Sequence, residues 1–135
     1  MPKDSLPKSY YLHDRVEELA PDLLGKILFT KKGNKVTGGL IVEVEAYAGN
    51  GRDKACHAHK GKTPRNSVMF EEGGLAYVYT CYGLHQLFNI VTNSKEHPDA
   101  ILVRAIQPLV GIKFIEKRRN KKCKDREITN GPGKL

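Results

Sequence analysis

Apolar and polar positions alternate along most of the chain, a pattern that predicts β-strands separated by turns. Gly33 and Asn34 form a turn dipeptide between the first two runs, which predicts a β-hairpin. The predicted strands cover residues 26–31, 35–47, 75–81, 86–92 and 100–106. Alternation within the second strand predicts one face with Ile41, Glu43, Glu45 and Tyr47, and another with Val36, Leu40, Val42, Val44 and Ala46.

A short helix is predicted near each end of the chain. Asp14 is the predicted N-cap of the first, Glu17 completes a capping box, and Pro21 interrupts or ends the helix. The second covers residues 110–119 and combines apolar positions with a basic outer face. Residues 49–74 lack periodicity and are predicted to form a long loop, which in a compact domain is usually functional or disordered.

These elements predict an α+β fold in a single domain over residues 1–135, with a mixed, largely antiparallel curved sheet and flanking helices. A length of 135 residues excludes an enzyme with separate cofactor and substrate domains. The sequence contains no Gly-rich nucleotide motif and no C-x-x-C pair, so neither a nucleotide cofactor nor a structural zinc is expected.

The net charge of +8 predicts a polyanionic partner, and most of it lies between residues 113 and 135, where nine basic residues face three acidic ones. The sequence shows no signal-peptide core and no apolar run of membrane-spanning length. We therefore expect a soluble cytoplasmic protein without a membrane partner. Its expected location is the cytoplasm or nucleoid of a bacterium. Three cysteines, an odd number, are expected to be free thiols.

Glu45 and Tyr47 at the end of a predicted strand, with His57 and several tyrosines nearby in sequence, are candidates for a chemical site. A carboxylate that emerges from an apolar strand is suited to act as a general base toward water. Clustered aromatic rings suit a flat ligand such as a nucleobase. The alternative is that Glu43 and Glu45 are a solvated surface pair and that the tyrosines, Tyr77, Tyr79 and Tyr82, pack in the core or at an edge.

Four further features have both a functional and a structural interpretation. Arg104 interrupts an apolar strand and needs a carboxylate or phosphate partner, the structural alternative being an ion pair. Asn89 in a strand needs a hydrogen-bond partner, which the backbone alone could supply. Arg65 follows Thr63-Pro64 and either binds phosphate or only shapes the loop. The run Cys56-His57-Ala58-His59 is only a weak metal-binding pattern.

Several long stretches, in order, resemble the alkyladenine (3-methyladenine) DNA glycosylases of base-excision repair. They are LAPDLLGKIL, IVEVEAYAGNGRDKACHA, KTPRNSVMFEEGGLAYVYTCYGLHQLFNIV, ILVRAIQPL and DREITNGPGKL. The resemblance runs from about residue 19 to the last residue. It implies hydrolysis of the N-glycosidic bond of alkylated or deaminated purines (3-methyladenine, 7-methylguanine, hypoxanthine) in double-stranded DNA. It also implies a monomer without lyase activity, metal or other cofactor.

The resemblance also implies a role for each matching residue. Glu45 takes the place of the general base that activates water, and Arg104 that of an arginine that contacts phosphate and places the water. Tyr47, His57 and Tyr79 match the rings around the flipped purine, with His59 as a substitute for His57 because the preceding loop differs in length. Asn89 matches an amide that rejects guanine, Tyr82 matches the wedge in the minor groove, and Arg65 is a further candidate for DNA contact.

Family members continue beyond the GPGKL motif, so we expect that the closing segment of the family domain is missing here. Two alternative functions follow. One is a protein that binds DNA lesions but turns over weakly or not at all. The other is a basic α+β module that binds structured RNA.

Overall fold

Five antiparallel strands form one sheet in the order β1-β2-β5-β4-β3. The computed structural model describes residues 4–124 and 128–135. The strands are β1 Ile27–Lys32, β2 Lys35–Tyr47, β3 Ala76–Cys81, β4 His85–Thr92 and β5 Asp99–Val110. The helices are α1 Val16–Leu23 and α2 Ile112–Arg119, with short 3₁₀ turns at Lys8–Leu12, Ser67–Phe70 and Pro132–Lys134. The predicted α+β class is confirmed, and every pairing in the described sheet is antiparallel.

Helix α1 begins differently from the prediction. Its N-cap is Arg15, which makes no side-chain capping bond, so the capping box assigned to Asp14 and Glu17 is wrong. Pro21 lies inside the helix, which continues to Leu23, so the expectation that Pro21 interrupts or ends it is also wrong. The first turn still carries Glu17 and Glu18, whose charges favour the positive end of the helix dipole.

Two apolar clusters cover the two faces of the sheet, because neighbouring residues of a strand point in opposite directions. The first consists of the buried face of α1 with strand residues that include Ile101. The second joins residues of the loop 49–74 to the other face, where Ala100 lies. Its buried members are Cys56, Ala58, Met69, Phe70, Tyr77, Val91 and Ala100. The loop is therefore packed against the sheet rather than extended into solvent.

The pairing of β2 with β5 contains irregularities that correct the predicted strand faces. Val42 has no partner on β5, and its side chain is 49% exposed. Because this extra residue interrupts the alternation, Ile41 lies in the same buried cluster as Val44, not on the face of Glu43 as predicted. Beyond the bulge, alternation resumes and the predicted separation of the Glu45 and Tyr47 face from Val44 is confirmed.

Helix α2 is shorter and less amphipathic than predicted. Strand β5 continues through Pro108 to Val110, so α2 begins only at Ile112. Gly111 makes the connection at a φ of 66°, in the left-handed region that glycine adopts at low cost. Ile115 is its buried residue, and Phe114 is 37% exposed, so the predicted apolar face is limited to one position. The basic outer face is confirmed.

Three expectations from the sequence concern the ends of the chain and the cysteines. Residues 125–127 of the DREITNGPGKL motif lie outside the described residues, and the part that follows pairs with the sheet through Asn130 and Ala105. Cys56, Cys81 and Cys123 are free thiols, as expected. None of the helices described is long and apolar enough to span a membrane.

A buried carboxylate connects the end of β2 to the start of β5. Asp99 is fully buried and accepts hydrogen bonds from the backbone N–H of Gly49 at 2.8 Å and from the amide of Asn93 at 3.1 Å. The guanidinium of Arg52 donates to both of its oxygens, at 2.8 and 2.9 Å. This group, which we call the Asp99 cluster, holds together segments about fifty residues apart in sequence.

We expect Asp99→Ala to lower the free energy of unfolding by about 2–4 kcal/mol, because it leaves the donors of the Asp99 cluster without an acceptor. Urea unfolding followed by circular dichroism would measure the change. Asp14→Ala is the matched control: since Asp14 does not cap α1, its effect should stay within about 0.5 kcal/mol. Equal effects of the two substitutions would contradict the role given to Asp99.

Candidate functional site

Glu45 is held between two hydrogen-bond donors at the end of β2. Arg104 donates from Nη1 to Oε1 of Glu45 at 2.7 Å and from Nε to Oε1 of Glu43 at 3.0 Å. The hydroxyl of Tyr47 donates to Oε2 of Glu45. Each carboxylate oxygen of Glu45 thus has one protein donor, and the orientation of the carboxylate is fixed from both sides.

A second irregularity of the β2–β5 pairing brings Arg104 to this face. Glu43 is opposite Ala105 and Val44 is opposite Val103, so Arg104 between them has no partner on β2. An unpaired residue at a bulge can turn its side chain away from the regular alternation. The partner that the sequence required for Arg104 is therefore a pair of carboxylates.

The environment of Glu45 lies between the two interpretations of the sequence, a general base at the end of an apolar strand and one member of a solvated surface pair. The side chains of Glu43 and Glu45 are 53% and 39% exposed, so neither is buried, but both are bound to a cation. Burial, followed by the hydrogen bond to Glu45, raises the pKa of Tyr47 to about 12. Tyr47 therefore remains a neutral donor to Glu45 at physiological pH.

A small cavity lies beside this carboxylate. Its lining includes three predicted site residues, Tyr47, His57 and Asn89; the others are Met69, Tyr77, Leu87, Ala100 and Leu102. The volume of about 50 Å³ exceeds the minimum of about 10–15 Å³ that one water molecule needs. A larger flat ligand requires a lining side chain to move, and His57 is the exposed residue of the lining.

The structure distinguishes the two candidate histidines. The ring of His57 lies 3.9 Å from that of Tyr79 between centroids and 6.0 Å from that of Tyr77. Burial, and then the charge of Arg65, lower the pKa of His57, which favours the neutral imidazole. His59 instead lines a neighbouring open cleft and does not line the cavity.

Arg65 and Tyr79 form a stacked pair at the edge of the site. The guanidinium carbon of Arg65 lies 4.0 Å from the centroid of the Tyr79 ring, and Nη2 donates to the carbonyl of Thr80 at 2.5 Å. The two side chains line the same cleft as His59. The stacking fixes the cation of Arg65 next to the aromatic wall.

Asn89 is anchored by backbone groups, as the structural interpretation allowed. Its amide nitrogen donates to the carbonyls of Tyr77 and Leu87, both at 3.3 Å. Both amide hydrogens are thus directed at main-chain oxygens. The side chain is 6% exposed and lines the cavity as a rigid group.

Tyr82 lies away from the cavity, at the tip of the β3–β4 hairpin, with 93% of its surface exposed. The turn is closed by the N–H of Leu84, which donates to the carbonyl of Cys81 at 3.1 Å. Tyr82 and Gly83 have φ values of 52° and 68°. Positive φ is costly for a bulky residue, so the fold holds an aromatic ring in solvent at a strained position.

Sequence reasoning named Tyr77 among the clustered tyrosines, but it did not assign Glu43 as a partner of Arg104, and it missed the cavity-lining residues Met69, Leu87, Ala100 and Leu102. The apolar ones carry no chemical signal in sequence, because they read as ordinary strand or loop residues. Asp99 was also missed, although an acid at the start of an apolar strand is itself a signal for a buried partner.

Cys56, His57 and His59 do not converge on a common point. The thiol of Cys56 faces the carbonyl of Pro98 at 3.7 Å, whereas His57 faces the tyrosines. Over residues 4–124 and 128–135, no group of three or more His, Cys, Asp or Glu side chains is placed to hold a metal ion. The expectation that the site works without metal or other cofactor stays a prediction.

The chain is similar in sequence to known proteins over most of its length. The family model described as Methylpurine-DNA glycosylase (MPG) matches residues 10–135. A protein of Chlamydia felis named "Putative 3-methyladenine DNA glycosylase" is 49% identical over 132 residues, which cover 96% of this chain and 68% of the relative. A protein of the same name from Carboxydothermus hydrogenoformans is 45% identical over 130 residues, 96% of this chain and 66% of the relative. The "Probable DNA-3-methyladenine glycosylase" of Encephalitozoon cuniculi is 47% identical over 119 residues, which cover 87% of this chain and 56% of the relative.

We expect the hydrogen bond of Tyr47 to make stability depend on pH in the alkaline range. A pKa raised from 10.0 to about 12 means that the folded state favours the neutral phenol. Its contribution is complete below pH 10 and is lost as the pH rises toward about 12. Urea unfolding over this range should show a steeper loss of stability in the wild type than in Tyr47→Phe. Parallel curves for the two proteins would contradict the shift.

Proposed function

The chain belongs to the methylpurine-DNA glycosylase family, and from that membership we propose that it removes damaged purines from double-stranded DNA by hydrolysing their N-glycosidic bonds. The proposed substrates are alkylated or deaminated purines: 3-methyladenine, 7-methylguanine and hypoxanthine. The observation that carries the proposal is the Glu45 carboxylate, fixed by Arg104 and Tyr47, beside a cavity lined by Tyr47, His57 and Asn89.

Glu45 is the proposed general base. A carboxylate offers about four acceptor positions, and Arg104 and Tyr47 occupy one on each oxygen, so positions remain for a water molecule. Glu45 takes a proton from this water while the water oxygen bonds to C1′ of the sugar. The bond from C1′ to the purine nitrogen breaks, and its electron pair leaves with the base. Alkylation at N3 or N7 makes the purine cationic, which makes it a good leaving group.

The flipped base is proposed to bind in the cavity beside Glu45, with Tyr47 on one side and the His57–Tyr79 pair on the other. Stacking on aromatic rings contributes about 1–3 kcal/mol per base, which helps to offset the cost of extrusion. The cavity volume is only about 50 Å³, so binding includes an outward rotation of the exposed His57 side chain, while its buried neighbours Cys56 and Ala58 stay in place. Asn89, held by two backbone carbonyls, is proposed to reject the exocyclic amino group of guanine.

Tyr82 is proposed to enter the minor groove and fill the gap that the extruded nucleotide leaves. An aromatic ring that is almost fully exposed on a strained turn makes no contribution to the core, which supports a role outside the protein itself. Arg65, stacked on Tyr79, and Arg104 are the proposed contacts to backbone phosphates near the flipped nucleotide. Arg104 would then share its charge between phosphate and carboxylates, which also places the attacking water.

No lysine occurs in the matched stretches at a position for covalent attack, so we propose a hydrolase without lyase activity. No step requires a metal or organic cofactor. We further propose that the protein acts as a monomer and in the cytoplasm.

Glu45→Gln should lower the rate of base release by about 10²–10⁴-fold, because the amide cannot accept the proton of water but can still bind Arg104. Single-turnover release of 3-methyladenine or hypoxanthine from duplex DNA measures the rate. Glu72→Gln, which changes an acid paired with Lys8 outside the site, is the control and should behave like the wild type. Activity that survives Glu45→Gln would exclude the mechanism. A wild type that binds lesion duplex without releasing base would support the lesion-binding alternative instead.

Tyr82→Ala should weaken binding to a lesion duplex by about 1–3 kcal/mol, the value of one stacked ring, and should affect undamaged duplex less. Folding stability should not fall, because the side chain is 93% exposed. Tyr82→Phe keeps the ring and should remain close to the wild type. Affinities from fluorescence anisotropy test this, and equal losses on damaged and undamaged DNA would show that the wedge assignment is wrong.

A further inference from the structure

The β1–β2 turn, the β3–β4 tip and helix α2 all lie at one end of the sheet. Strand β5 ends at Val110, which pairs with Gly38 near the start of β2. Strand β4 is antiparallel to β5, with Thr92 opposite Asp99, so its other end points toward the end of β5. The β3–β4 hairpin turns there, between Cys81 and His85. Tyr82 therefore lies at the same end of the sheet as the β1–β2 turn and α2.

Five lysines form an exposed surface at this end, which we call the lysine edge: Lys31, Lys32, Lys35, Lys113 and Lys117. None of them forms an ion pair with any residue in 4–124 or 128–135. The sequence over residues 27–37 contains no acid, and that over 111–124 contains only Glu116. The carboxylate of Glu116 accepts the N–H of Cys123 at 2.8 Å, so part of its acceptor capacity is occupied.

The hairpin and helical parts of the lysine edge are one connected surface. Nζ of Lys35 lies 5.3 Å from the ring centroid of Phe114, which joins the hairpin to α2. Arg118 donates to the hydroxyl of Thr37 at 3.4 Å, and Arg119 donates to the carbonyl of Ile128 at 2.9 Å. Arg118 thus connects α2 to β2, and Arg119 connects it to the C-terminal segment, so the helix that carries Lys113 and Lys117 has a defined position on the fold.

The distance from the lysine edge to Tyr82 corresponds to a few base pairs. Strand β2 is three strand positions away from β3, and β1 is four. At about 4.8 Å per strand these separations are roughly 14 and 19 Å across the strands. By register Tyr82 is about level with Leu40 and Ile27, so the hairpin lysines lie four to five residues farther along their strands, or about 13–17 Å. The combined distance is roughly 22–25 Å, which is about six to seven base pairs because DNA rises about 3.4 Å per base pair. A duplex held at Tyr82 that continues across the strands therefore reaches the lysine edge.

We propose that the lysine edge binds backbone phosphates of the lesion-bearing duplex, about six to seven base pairs from the flipped nucleotide and on one side only. This inference rests on the proposed function, since it takes Tyr82 as the point of insertion. A protein partner is disfavoured because lysine is depleted in the cores of protein interfaces. Unpaired lysines that line one exposed edge are instead suited to phosphates, whose counterions they displace.

The test measures how affinity depends on the length of each flank. Duplexes carry a stable abasic-site analogue, and the flank on either side is varied between about three and ten base pairs. For the wild type, we expect affinity to rise about three- to tenfold when one flank, and not the other, passes about six base pairs. Lys113→Gln/Lys117→Gln should lose this increase, and the slope of log K against log salt should fall by up to about 2.

Lys8→Gln/Lys26→Gln is the matched control, since it removes the same charge from lysines paired with Glu72 and Asp22. It should keep the flank dependence. Loss of the increase in both variants or in neither, or dependence on both flanks alike, would overturn the proposal. So would an RNA duplex that competes better than DNA for the lysine edge. Failure of base release by the wild type would instead count against the proposed function, because the flank measurement does not depend on turnover.

Discussion

The irregular pairing of β2 with β5 is the constraint on which the site depends. Next to Glu43, each strand contains one extra residue, Val42 on β2 and Arg104 on β5, and the two lie close together. Because one insertion compensates the other, Ile41 is opposite Ile106 on one side and Val44 is opposite Val103 on the other, and both strands keep their buried faces in register. The interruption directs a cation at two carboxylates that would otherwise repel each other. The charged centre of the site is thus a consequence of strand geometry.

The Asp99 cluster and the cavity are neighbours, which links stability to the site. Tyr47 is opposite Ala100 in the sheet. The N–H of Gly49, two residues after Tyr47, donates to Asp99, the residue before Ala100. The carboxylate that anchors the loop therefore lies next to the cavity wall formed by Tyr47 and Ala100. The loop is held where it leaves β2, and farther on Cys56 and Ala58 are buried against the sheet while the side chain of His57 between them is exposed. The backbone of the loop is thus anchored on both sides of His57.

Sequence patterns predicted the elements well where alternation was regular and failed where local geometry departed from it. All five strands were found, and β2 was found with its observed bounds, because its turn dipeptide and alternation agree. The position of Ile41 on the face of Val44 could not be predicted, because nothing in the sequence IVEV (residues 41–44) indicates a β-bulge at Val42. The face shared by Glu45 and Tyr47 was predictable, whereas their joint contact with Arg104 depends on pairing between residues about sixty positions apart. The predicted cap of α1 was wrong because Arg15, not Asp14, is the N-cap of the helix.

The pairing of β2 with β5 also determines when the site can form during folding. The paired residues are separated by more than fifty positions, whereas β1–β2, β3–β4 and β4–β5 are pairs of strands close in sequence. Closing long loops carries an entropic cost that local hairpins avoid, so the pairing of β2 with β5 is the costliest contact of the sheet to form. Strand β5 supplies Arg104, Asp99 and two residues of the cavity lining. The charged centre joins Glu43 and Glu45 of β2 to Arg104 of β5, so it forms only when these two strands pair and the sheet is complete.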